Sequence, residues 1–163
     1  MISEQMQELV NHLIQVELNS AYLYLAMANY LTRRNLIGMG KWLRLQHQEE
    51  LSHAQELIDY LTDRDGVVEI RPVSAQPLDF GTPLETWQAV FEHEQYVTQS
   101  YNRAFEVATN AQDYQTLGLI QRFLQEQIDE TAQASVIIGR LQINQENPAG
   151  LLLLDQELGQ RAG

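Results

Sequence analysis

LRLQHQEELSHAQELIDYL, residues 43 to 61, keeps Leu43, Leu57 and Leu61 on one helical face and sets Glu50 in the middle of that face. His53 follows Glu50 by three residues and so lies on the same side, about one turn further along. A carboxylate in an apolar stripe is a conflict, because an unpaired charge taken out of water costs several kcal/mol even after relaxation. The conflict recurs on three other segments. One stripe runs Val10, Leu13, Glu17, Ala21, Tyr24, Met27, Leu31; another runs Trp87, Phe91, Glu94, Thr98, Tyr101, Phe105; the last runs Phe123, Gln127, Glu130, Ala134, Ile137, Leu141. Each helix presents one glutamate to the core near its middle.

The helical spacing extends without internal proline over Ser3 to Thr32, Asn35 to Thr62, Pro83 to Asn110 and Asp113 to Ile143. At the rise of an α-helix each segment is about 40 Å long. The third has the plainest start: Thr82 can cap it, Pro83 suits the first helical position, and Glu85 completes a capping box. Short joints at Arg33-Arg34 and Ala111-Gln112 predict two antiparallel hairpins. The stretch from Asp63 to Thr82, with Gly66, Pro72, Pro77 and Gly81, is long enough to run the length of a bundle. The reading is all-α: a single domain over residues 1–163, with a four-helix bundle over about 3–143, one long crossover, and a short terminal helix over about 148–159.

Composition narrows the classes. Hydrophobic residues make up 44% and charged residues 20%, and no apolar run approaches the ~20 residues that span a bilayer. The amino-terminal Met-Ile-Ser-Glu-Gln lacks the basic start and apolar run of a signal peptide, and there is no cysteine, so a cytoplasmic protein is expected. A net charge of −12 disfavours nucleic acid and anionic lipid and favours cations near any concave surface.

Four core carboxylates need positive charge, and Lys41, Arg44 and Arg103 do not share the stripes. Two divalent metals balance four glutamates, and a neutral imidazole adds a ligand without charge. Oxygen-rich, cysteine-free ligation with one histidine suits iron or manganese better than structural zinc. Taken singly, each glutamate has a plainer reading as a solvated helix acid; four at matching depth do not. His12, His47 and His93 lack such partners and are expected at the surface. Tyr24 is expected to pack in the core, with its hydroxyl within reach of the metals. The halves echo each other, since Glu17 and Glu50-x-x-His53 resemble Glu94 and Glu130-x-x-Gln133. Gln127, one turn earlier, is the alternative partner in the second half.

At these residues the chain resembles the ferritin-like di-metal bundles, which take one Glu from each of two helices and Glu-x-x-His from each of the other two. It is most similar to the bacterial non-haem ferritins, whose pattern is matched by Glu17, Glu50, His53, Glu94, Gln127 and Glu130, by Tyr24 beside them, and by Gln48-Glu49-Glu50-Leu51-Ser52-His53. Bacterioferritins carry a haem-ligating Met where this chain has Leu51 and a second Glu-x-x-His where it has Gln133, so no haem is expected. The resemblance implies a ferroxidase: Glu17 and His53 hold one iron, Glu94 and Glu130 a second, Glu50 bridges, Tyr24 can lend an electron, and Fe(II) is oxidised by O2 or H2O2. It also implies a third iron site at Glu49, Glu126 and Asp129 with Glu130 shared; the shorter Asp129 departs from the usual Glu, and hydrated helix acids are the alternative. Leu117 and Ile120 stand where animal ferritins place acids around a three-fold channel.

Leu151 to Leu154 on the terminal helix are expected to lie outside the filled core and to mark an interface. Together with the resemblance this implies a homo-oligomeric storage shell of about 24 subunits. The other outcome for that helix is folding back onto its own bundle. No candidate ligand lies beyond Glu130, so removal of everything after Asn147 is expected to alter assembly and spare the first di-iron oxidation. A di-iron oxygenase or peroxidase would use the same ligands, and a non-catalytic shell subunit is the third class.

Overall fold

Local signals start four of the five helices within a residue of where the spacing places them. In the computed structural model, which describes residues 1–144 and 147–162, α1 spans Glu4–Arg33, α2 Ile37–Asp63, α3 Pro83–Asn110, α4 Tyr114–Ile143 and α5 Pro148–Leu158. The side chains of Ser3, Thr82, Asp113 and Asn147 accept from first-turn amides of α1, α3, α4 and α5, which satisfies donors that a helix start leaves without partners. Asn35, Asp65 and Gln112 adopt positive φ of 64°, 58° and 56° at the ends of α1, α2 and α3, the left-handed turn that closes a helix. That turn moves the start of α2 two residues beyond the expected Asn35.

α2 has no cap of its own at Leu36. The cap comes from α5: Asp155 accepts from the Gly38 amide at 3.0 Å and from the Met39 amide at 2.7 Å. The approach requires glycine, because a Cβ at Gly38 would lie 1.7 Å from the Asp155 carbonyl oxygen. α5 therefore folds back onto its own bundle. Leu154 is 1% exposed, while Leu152 and Leu153 are 60% and 58% exposed. The expectation that the whole leucine run stays uncovered is thus half corrected: Leu154 is buried and Leu151 packs partly against the core, while Leu152 and Leu153 face out.

α1 packs along α2 and α3 along α4, with α1 against α3 joining the hairpins. The crossover runs beside α1 from end to end. Asn11 bonds the Val67 carbonyl and the Glu69 amide, Gln15 donates to the Pro72 carbonyl, and Tyr30 donates to Asp79 and to the Gly81 carbonyl. Two apolar clusters fill the bundle. One contains Met27, Leu31, Leu43, Trp87 and Ile137, and the other Leu13, Leu57, Leu61, Ile120 and Phe123. Each such buried side chain contributes about 1.5–3 kcal/mol. Ile120 lies fully inside this core, so it lines no surface of the subunit. Among the described residues, no helix is long and apolar enough to cross a membrane.

Candidate metal centre

Between the two apolar clusters lies a polar layer built from all four long helices. Glu17, Glu50, Glu94 and Glu130 are buried, at 1%, 4%, 2% and 7% exposure, and among the described residues no lysine or arginine is buried with them. His53 places Nδ1 3.1 Å from Glu50 and 3.8 Å from Glu17. These three residues each offer a ligand atom within 4.8 Å of the others. One carboxylate oxygen of Glu17 is buried without a hydrogen-bond partner, an arrangement whose cost a cation would remove. The donor set is carboxylate and imidazole without thiolate, which suits iron.

The other half is organised differently. Glu94 accepts from the Tyr24 hydroxyl and, at 2.9 Å, from the Gln127 amide. Glu130 accepts at 2.8 Å from the Gln46 amide, which also reaches Glu50 at 3.1 Å. Glu94 and Glu130 are therefore placed in the layer but held by protein donors, and a metal would have to replace those bonds. Gln127 is the second-half partner, since Gln133 is exposed.

Burial and mutual repulsion favour the protonated forms of three of these glutamates. Burial pushes Glu50 up to about 8, against a hydrogen bond from His53 that pulls it down. Burial, then the charge of Glu50, raises Glu94 to about 7; burial, then the charges of Glu94 and Glu50, raises Glu130 to about 8. For His53 burial acts downward, but hydrogen bonds to Glu17 and Glu50 and their charges outweigh it and lift the imidazole to about 11. The Tyr24 hydroxyl is held well above its usual range by burial and the charge of Glu94, so it remains a donor.

The expected third-site acids have other partners or face solvent, although the charge of Glu49 still reaches Glu130. Glu49 is bound by Arg161 at 2.8 Å, Glu126 lies 3.2 Å from the outer nitrogen of His53, and Asp129 is exposed. Two histidines expected at the surface are half-buried instead. His47 donates from Nδ1 to the Ala21 carbonyl at 2.8 Å, and His93 sits 2.7 Å from the Ser20 hydroxyl with burial lowering it to about 4. Both lie over α1, where neighbours on another helix supply partners that spacing along one helix does not reveal.

Three neighbours of the carboxylate layer were not read from the sequence. Gln46 is fully buried between Glu50 and Glu130, and its place one turn before Glu50 is a signal that could have found it. Tyr101, two turns beyond Glu94, donates to Glu17 and stacks on Phe123. Arg161 comes from beyond α5 and carries no periodic signal.

A family model, the ferritin-like domain, matches residues 7–143. The bacterial non-heme ferritin of Bacteroides fragilis is 35% identical over 99% of this chain and 100% of its own length, and that of Campylobacter jejuni is 33% identical over 96% and 93%. Among solved structures, an open-pore ferritin from the archaeon Archaeoglobus fulgidus has a TM-score of 0.97 at 38% identity, covering 99% of this chain and 100% of that one. With the domain matched across all four long helices and relatives of such identity along nearly its whole length, the chain belongs to the ferritins.

Proposed function

We propose that this ferritin binds two Fe(II) per subunit in the carboxylate layer, oxidises them with O2, and stores the Fe(III) product as mineral inside a shell of about 24 subunits. The observation that carries the reading is four buried glutamates from four helices with one histidine beside them and no lysine or arginine among the described residues buried with them. In this reading Glu17 and His53 take one ion, Glu94 and Glu130 the other, and Glu50 lies between. Each Fe(II) gives up one electron, and O2 takes both with two protons to leave as hydrogen peroxide. The protein supplies distance, charge and shielding from water. Glu126 orients His53 from its outer nitrogen, the role commonly filled by a carboxylate behind a metal-bound histidine. Support for the shell comes from Leu152 and Leu153, which α5 holds outward as an uncovered apolar pair.

The test is rapid mixing of metal-free protein with Fe(II) and O2. Two saturable ions per subunit and a fast oxidation that Glu50→Ala abolishes are expected. No saturable core binding, or an unchanged rate in Glu50→Ala, would overturn the assignment.

A further inference from the structure

The arm after α5 passes beside the carboxylate layer. Beyond α5, Arg161 donates to Gln46 at 2.9 Å and to Glu49 at 2.8 Å, and its guanidinium lies 4.2 Å from the centre of the Trp42 ring. Because Arg161 can only donate, it takes the Gln46 oxygen and turns the amide nitrogen towards Glu50 and Glu130. The arm is anchored upstream by Asp155 on the α2 amides and by Lys41, which donates to the Gly159 carbonyl at 2.8 Å. Lys41, Arg44 and Arg161 share with Glu49 a surface groove of about 650 Å³. In a chain with 10 lysines and arginines against 22 acids, three cations line one groove and one of them, Arg161, is paired with its acid Glu49, which disfavours a further metal ion there.

We infer that Arg161 is a tethered counter-cation that occupies Glu49 and orients Gln46, and so sets how many metal ions the centre takes: two while the arm is seated, a third only when it is displaced. The inference rests on the di-iron reading above. Glu49 can serve the guanidinium or an ion, and the bidentate hold on Gln46 and Glu49 together is one that only the planar fork of arginine makes. Towards the first two ions Arg161 is a positioning residue, since it reaches Glu50 and Glu130 through Gln46.

The test is titration of metal-free, assembled protein with Co(II), comparing the native chain with Arg161→Ala. Two tight ions and a weak third are expected in the native protein, and a third ion bound about fivefold more tightly or better in the variant, the factor that an exposed ion pair commonly carries. In the native protein the third ion should also change Trp42 emission as the guanidinium leaves the ring, and this step should be missing in the variant. In a Glu49→Gln background, removing Arg161 should leave third-ion affinity unchanged. A third ion equally weak in the native protein and Arg161→Ala, or tightened even without Glu49, would overturn the inference and leave the two-ion reading standing. Absence of the first two sites in both proteins would refute both.

Discussion

Loading the metal-free centre should release about three protons per subunit at pH 7. With Glu50 and Glu130 near 8 and Glu94 near 7, the first two are each about nine-tenths protonated at that pH, the third about half, and His53, near 11, fully. Metal ligands must be deprotonated, so these protons leave as two ions enter. The number rises to about four at pH 6 and falls to between about one and two at pH 8.5, because the carboxyls are then already ionised while His53 is not. Calorimetric titration with Co(II) in buffers of different ionisation heats counts the protons directly. Release of fewer than about one proton at pH 7, or a count that does not change with pH, would refute the picture of a centre neutralised by protons.

The same shifts set a stability trend. Folded-state values raised above the unfolded ones give stability that is complete at low pH and lost as pH rises. Metal-free protein should therefore lose thermal stability between about pH 5 and 8, the carboxyl window, and a midpoint that rises over that window would contradict it. Tyr101→Phe removes a donor to buried Glu17 and should weaken the first metal site about tenfold while the second holds, a split that competitive metal titration reads; equal loss at both sites would sink it. Asp155→Ala strips the cap from α2 and should cost about 0.5–2 kcal/mol, seen as a lower Tm, with no change counting against the capping role. Replacing both Leu152 and Leu153 by glutamate should reduce the sedimenting mass from a shell to small oligomers; an intact shell would show that this pair is not buried in assembly.

What the sequence revealed, and what it withheld, follows from range. Helical period, caps and proline placement act within about one turn to three, and they place α3 to the residue and the other long helices to within two. The four glutamates were legible because each violates its own stripe. Gln46 was missed because an amide in a stripe is a weaker violation than a carboxylate, and His93 because its partner, Ser20, is on another helix. Arg161 lay out of reach altogether: 112 residues separate it from Glu49, and only the docking of α5 brings them together. That contact adds to the expectation for a chain ending at Asn147: with Glu49 freed of its guanidinium, the third ion should bind more tightly while the first oxidation is spared.

The division of ligands between hairpins bears on how the molecule assembles itself. Glu17, Glu50 and His53 belong to α1 and α2, whereas Glu94, Gln127 and Glu130 belong to α3 and α4. Packing within each hairpin is local in chain and extensive, while packing between them is sparse by comparison. Local pairings close first, because short loops cost little entropy. The seam that closes last is then the one that carries the repelling carboxylates. An ion bound across that seam acts as a rivet on a late folding step: it should slow separation of the hairpins far more than it hastens their formation, and the store of iron becomes a source of kinetic persistence for the subunit that holds it.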